Sequence, residues 1–200
     1  MVTSPKKSRV SQRHEGSILP VLMFLVGASG SGKATFYESH LKTVLPKLLT
    51  ASASPLEQTT TDQERKYLLK AGKSFVYQSG VFDLDAIRDA RTAGYEVKAA
   101  YLATEDPSLN LGRVLIRVNN GGSFAAISRI PTDFSQGLKQ LPTIRKLADD
   151  LMLFDNTAHG RGVRLVAHFH EGQLKKLARA VPKWAHRPFR REFEKLLDRG

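Results

Sequence analysis

The chain has 200 residues, 41% of them apolar, no cysteine and a formal net charge of +12. That length suits one domain with a core of its own, and the lack of cysteine excludes a disulfide framework, a thiolate metal site and thiol catalysis; a cytoplasmic setting is expected. The charge sits at the ends: residues 1–17 carry four Lys/Arg against one acid and 173–200 carry nine against three, which leaves 18–172 at only +3, so any nucleic-acid role falls to the basic termini.

Residues 1–17, rich in Ser, Lys and Arg without periodicity, read as a disordered basic arm. Lys6, Lys7, Arg9 and Arg13 ahead of the apolar Ile18–Val26 imitate a signal peptide. Cleavage after that run would destroy the motif that follows, and the polar lead-in is long and includes Glu15. No apolar run is long enough to span a bilayer, so no membrane partner is expected.

Ile18–Val26 reads as a strand apolar on both faces, the kind found in parallel sheets. It runs into Gly27-Ala28-Ser29-Gly30-Ser31-Gly32-Lys33. This is the Gly-x4-Gly-Lys spacing of a phosphate-binding loop, in which backbone N–H groups and a helix start cradle anionic phosphates and the lysine reaches the outer ones. The next position, ordinarily Ser or Thr for magnesium, is Ala34, and Thr35 follows it. Phe36, Leu41, Val44 and Leu45 give an amphipathic helix that stops before Pro46.

Lys47–Ala51 reads as a short second strand and Ser52–Thr60 as a polar loop. Thr61-Asp62-Gln63-Glu64 has the form of a capping box, and Gly72 is a natural stop. A strand over Lys73–Gln78 precedes a helix capped by Asp83 and ending at Gly94. Tyr95–Leu102 is the next strand. Ser108 opens a helix through Val118, closed by Gly121-Gly122. A helical pattern over Phe134–Asp149 is interrupted at Pro142, and Leu151–Phe154 and Val163–Phe169 read as further strands. After Gly172 the pattern is helical and basic, with Phe189, Phe193, Leu196 and Leu197 on one face that docks onto the body. Strands alternating with helices predict an α/β fold of the P-loop NTPase type, a mostly parallel sheet flanked by helices. The domains expected are an arm over 1–17, a P-loop domain over 18–172 and a basic helical extension over 173–200.

Several ordered blocks extend the match beyond the loop: Gly27–Phe36, Gly72-Lys73-Ser74-Phe75, Ala90–Val97, Ser108–Val118 with Gly121-Gly122, and Leu147–Asn156. Over roughly residues 20–172 the chain resembles the zeta-toxin-like P-loop kinases, especially their small bacterial members. The resemblance implies ATP and Mg²⁺ as cofactors and phosphoryl transfer to a hydroxyl, in the toxins the sugar of a UDP-linked amino sugar. It also implies a protein partner, since a small antitoxin blocks the nucleotide site in the toxin pairs.

Carried over by position, Gly27, Ser29, Gly30, Ser31, Gly32, Lys33, Ala34 and Thr35 line the nucleotide, and Thr35 is the remaining hydroxyl for the metal. Mg²⁺ keeps several waters, so Ala34 weakens that site without abolishing it. Asn156 lies in the block near the base. Arg113 and Arg117, at i and i+4, match arginines of the corresponding family helix, and Arg129 stands just before the lid; all three are candidate phosphate contacts.

The acceptor side departs from the family. Its aspartate after the second strand matches Ser52, its glutamate after the third strand matches Gln78, and its lid arginines match Pro131-Thr132-Asp133, with Gln136 nearby. A serine cannot take the acceptor proton at neutral pH, and loss of a positioned base costs about 10²–10⁴-fold. Asp83 and Asp85 are candidate replacement bases, although Asp83 is better explained as a helix cap. Three readings follow: an ATP-dependent kinase with a weakened site; a catalytically degenerate P-loop protein acting as a regulator, decoy or partner-binding subunit; and nucleic-acid binding through the basic ends. His168 and His170 share a strand face with no third metal ligand evident. Tyr67, Tyr77 and Tyr101 are expected in or near the core.

Overall fold

The structure is a computed structural model that describes residues 19–42, 49–52, 58–122, 127–158 and 162–197. Its central strand, β1 (Val21–Val26), is apolar at every position and buried from Leu22 onward. Alternation divides those side chains between two cores. Leu22, Phe24 and Val26 point to one face of the sheet, and Met23 and Leu25 to the other.

The remaining strands are β2 (Leu49–Ser52), β3 (Phe75–Ser79), β4 (Glu96–Ala103), β5 (Asp150–Asp155), β6 (Arg164–His170) and β7 (Gln173–Leu177). They form one seven-stranded sheet in the order β2-β3-β1-β4-β5-β6-β7. The five strands β2, β3, β1, β4 and β5 are parallel, and β6 and β7 add antiparallel. The chain leaves β1 toward β2 and β3 and then crosses to β4 on the other side. The loop after β1 therefore stands at the switch point, where ligands of open α/β sheets bind.

The helices are α1 (Lys33–Phe36), which continues as a π-helical turn Tyr37–Leu41, then α2 (Gln58–Lys70), α3 (Leu84–Thr92), α4 (Pro107–Asn119), α5 (Ile130–Leu147), α6 (Lys183–His186) and α7 (Arg190–Leu197). The larger core receives side chains from all of them except α1, among them Leu68, Ile87, Val114, Leu141, Trp184 and Phe193. The smaller core is closed by Phe36 and Leu41 of the α1 segment over Met23, Leu25, Val76, Ala100 and Leu102. Asp83 caps α3 as expected, accepting from the Ala86 N–H at 2.9 Å, and it also faces the buried Arg65 at 3.8 Å.

The parallel strands fall where the sequence places them, with boundaries shifted by a few residues. Position 18 and residues 43–48 and 53–57 lie outside the described residues, and so do 1–17. Five differences have physical causes. The helix expected to start at Thr61 begins at Gln58, so that Thr61 stands within it. Pro142 does not interrupt α5, which runs unbroken from Ile130 to Leu147, anchored on both sides of the proline by the fully buried Leu141 and Ile144. Tyr67 is 71% exposed, because Arg65 and Leu68 occupy the inward face of α2.

The fourth difference is β7, which lies inside the segment read as helical. Glu171 (φ 49) and Gly172 (φ 72) are both left-handed, the geometry of a two-residue hairpin turn, and they pair His170 with Gln173. The fifth is the histidine pair. His168 Nε2 and His170 Nδ1 meet the same oxygen of Asp150, at 2.6 and 3.0 Å, and Lys98 lies 3.4 Å from its other oxygen. The carboxylate is thus already satisfied, and among the described residues no group of three acidic or histidine side chains is set to hold a metal. Two members of the C-terminal stripe dock as expected: Phe189 and Phe193 are fully buried, with ring centroids 4.6 and 6.3 Å from Phe169, while the side chains of Leu196 and Leu197 lie outside the description. No helix among the described residues is long and apolar enough to cross a membrane.

Candidate phosphate-binding site

The loop Gly27–Gly32 is held from outside by two asparagine amides. Asn110, fully buried in α4, donates from Nδ2 to the Ser29 carbonyl at 3.0 Å. Its own Oδ1 pairs with the buried Thr104 hydroxyl at the end of β4, which fixes the amide's orientation. Asn156, just past β5, donates from Nδ2 to the Ser31 carbonyl at 2.9 Å. Carbonyls turned outward onto amides leave the opposite side of the loop to N–H groups, the arrangement that favours an anion. Gly30 (φ 82) adopts a left-handed turn, and a side chain there would run into the Asn110 backbone carbonyl.

Lys33 closes the loop. Its Nζ donates to the Gly27 carbonyl at 2.5 Å and reaches the Ala28 carbonyl at 3.4 Å. Burial lowers its pKa to about 8; the charge of Asp133 opposes that shift and the charge of Arg117 adds to it. Gly32 stands at the helix cap without a side-chain cap bond, so the first-turn N–H groups of α1 are left for another acceptor. Ala34 and Thr35 are both exposed in that turn. The Ser31 hydroxyl is buried without a hydrogen-bond partner among the described residues.

Of the three candidate arginines, two stand on α4 and one just before α5. Arg113, half-buried on α4, points its guanidinium toward the Thr157 carbonyl at 3.4 Å, beside Asn156. Arg117, one turn on, is exposed and close enough for its charge to act on Lys33. Arg129 pairs with Asp133 at 3.4 Å. Asp133 itself is turned inward: its side chain is 13% exposed, and a Cβ added at Gly80 would meet its Oδ2 at 2.6 Å. Gln136 is exposed. Ser52 and Gln78 stand opposite each other in register at the carboxyl ends of β2 and β3.

Two components of this site escape sequence reasoning. Asn110 and Thr104 carry no motif spacing, and their role appears only once α4 lies over the loop. Asp133 reads in sequence as part of a lost lid, whereas the fold brings its carboxylate to Gly80 at the end of β3, beside the loop. Asp83, a candidate base, is committed to its helix cap and Arg65.

No protein-family model and no curated protein matches this chain. Solved structures do. A chain of the AvrRxo1-ORF1:AvrRxo1-ORF2 complex with sulphate ions aligns with a TM-score of 0.57 at 15% identity over 78% of this chain and 60% of that one. The same complex with ATP aligns at 0.59 and 16% identity, with the same coverage. A chain of the PezAT chromosomal toxin–antitoxin system of Streptococcus pneumoniae aligns at 0.52 and 15% identity, over 94% of this chain and 90% of that one. This chain thus spans 60% of the length of the AvrRxo1 chain and nearly all of the PezAT one. At such identities the likeness is one of fold: the chain shares with these structures an α/β fold of the kind its sequence leads one to expect.

Proposed function

We propose that this chain binds ATP through Gly27–Thr35 and transfers its outer phosphoryl group to a hydroxyl of a small substrate, a nucleotide-sugar being the class the family resemblance favours. The observation that carries the reading is the loop itself: its Ser29 and Ser31 carbonyls are turned away by Asn110 and Asn156, and the Lys33 ammonium is enclosed at its end. The structural neighbour solved with ATP supports the same ligand.

The residues fit a nucleotide: an uncapped helix start, an enclosed lysine and a row of arginines meet an anionic chain with donors and positive charge. In this reading Lys33 leaves the Gly27 carbonyl for the outer phosphates. Arg117 and Arg129 supply charge along the phosphate chain, and Arg113, held beside Thr157, and Asn156 border the nucleotide's other end. Magnesium, when bound, would neutralise phosphate charge, with Thr35 the loop hydroxyl nearest the lost ligand position at Ala34. Breaking the bond between the outer phosphorus and its bridging oxygen and forming the bond to the acceptor oxygen releases the acceptor proton. The register pair Ser52 and Gln78 offers no carboxylate to receive that proton, so turnover is slow.

That same neutral pair favours a second reading, a P-loop protein that binds nucleotide or a protein partner without transfer and acts as a regulator. The neighbours solved in toxin–antitoxin and two-component complexes support a partner of antitoxin kind. Labelled ATP supplied with Mg²⁺ and a metabolite extract separates the two. Transfer of label that is lost in Lys33→Ala supports the kinase. Lys33-dependent ATP binding without transfer supports the regulator. ATP affinity unchanged by Lys33→Ala removes the nucleotide from both.

A further inference from the structure

The loop lacks the hydroxyl that P-loop proteins place after the lysine, and neither β2 nor β3 ends on a carboxylate. Yet a carboxylate does reach the site, from an element that follows β4. Asp133, in the first turn of α5, is turned into the protein and presses on Gly80, immediately past the end of β3. The Gly27 N–H bonds the carbonyl of Ser79, the residue before Gly80, at 3.3 Å, so the contact lies next to the start of the phosphate loop. Gly80 is the residue type this needs, since any side chain would displace the carboxylate.

Among the described residues Asp133 pairs with Arg129 at 3.4 Å, and the Arg129 side chain is 52% exposed. The pKa of the fully buried Tyr101 phenol is raised by burial and by the Asp133 charge. Lys33 feels the same charge from the loop side. An acid in the first turn of a helix ordinarily lies in solvent, where it complements the macrodipole at no desolvation cost. This one is held inside, against Gly80 and next to the start of the phosphate loop.

Beside a phosphate chain a bare carboxylate repels, and across a divalent cation it attracts. We infer that Asp133 is the protein carboxylate that holds the divalent cation of the bound nucleotide, standing in for the ligand absent at Ala34 and reaching the site through the space left by Gly80. The assignment rests on the nucleotide-binding reading above and adds to it the residue that makes binding metal-dependent. It also gives Arg129 a definite place, as the group that orients Asp133 across one helical turn.

The test is calorimetric binding of a non-hydrolysable ATP analogue to the full chain, with millimolar Mg²⁺ and with chelator in its place. The unaltered protein is expected to bind at least about tenfold more tightly with Mg²⁺. Asp133→Asn removes both the repulsion and the ligand, so metal-free affinity should rise and the Mg²⁺ advantage should fall to within about twofold. Gly80→Ala keeps every charge but forces the carboxylate aside, and it should shrink the same advantage; this arm decides the matter if Asp133→Asn does not fold. A structural role alone would weaken both arms equally and leave their ratio unchanged, which overturns the assignment while the nucleotide reading stands. An unaltered protein that binds in neither arm overturns the nucleotide reading, and the assignment with it.

Discussion

The side-chain amide of Asn156 donates to the carbonyl of Ser31 at 2.9 Å, joining the end of β5 to the phosphate loop across 125 residues of sequence. The bond fixes the loop's curvature without occupying the side that faces a ligand. Asn156→Ala should therefore weaken ATP binding by about tenfold and lower stability by about 1 kcal/mol, the usual worth of such a bond. Calorimetry and urea denaturation on the same preparation would check both; a loss of affinity without a loss of stability would place Asn156 against the nucleotide itself.

Asn110→Ala should cost more. It leaves the Thr104 hydroxyl and the Ser29 carbonyl without their amide partner, in a position that is fully buried. A destabilisation of about 2–3 kcal/mol is expected, read as a shift of the urea midpoint with an unchanged slope.

The Lys33 ammonium gives two opposite pH dependences. Its folded pKa is about 8, below the ordinary 10.5, through burial. Between those values the unfolded chain holds the proton that the folded chain has shed, so this group makes the ligand-free protein more stable as pH rises through that window. ATP needs the charged form, so affinity should fall over the same range. Lys33→Met should flatten both curves, measured by denaturation and by calorimetry across pH 7–10 as a rough span.

Asp150 acts at the acid end. Burial alone would raise its pKa, but hydrogen bonds from His168 and His170 and the charge of Lys98 outweigh it and hold the carboxyl below its ordinary 3.8. A depressed carboxyl contributes stability that is present above the unfolded value and disappears as pH falls through the folded one. Asp150→Asn should cost about 1–3 kcal/mol at neutral pH and progressively less in acid, as followed by urea denaturation from neutral pH to below 3.8.

The C-terminal helix is tested by Phe193→Ala. The ring is fully buried between Phe169 and Phe189, and its loss should cost about 3–5 kcal/mol. A change below about 1 kcal/mol would show that α7 is an appendage and not part of the core.

The loop and the parallel sheet were legible because each rests on local pattern: a continuous apolar strand, a glycine–lysine spacing, an alternating run at Val97, Ala99 and Tyr101. The docking of Phe193 was legible for the same reason, as a helical stripe. The hairpin at Glu171-Gly172 was not, because Glu171 takes a left-handed conformation that its residue type does not advertise. Tyr67 misled, since an aromatic ring on a helix says nothing of which face the helix buries. Asn110 and Asp133 stayed hidden because their partners lie far along the chain, at Ser29 and Gly80, and only tertiary packing makes the pairs; Thr104 matters only through the Asn110 amide it orients.

Among the described residues, the smaller core has a single helical cover, the segment that the phosphate loop itself begins. Phe36 and Leu41 of that segment pack in one cluster with Met23 and Leu25, so whatever pulls on the loop also tugs on the middle strand of the parallel part of the sheet. A ligand seated at Lys33 would thus be felt as slower amide exchange along the buried core of β1, beyond the residues it touches.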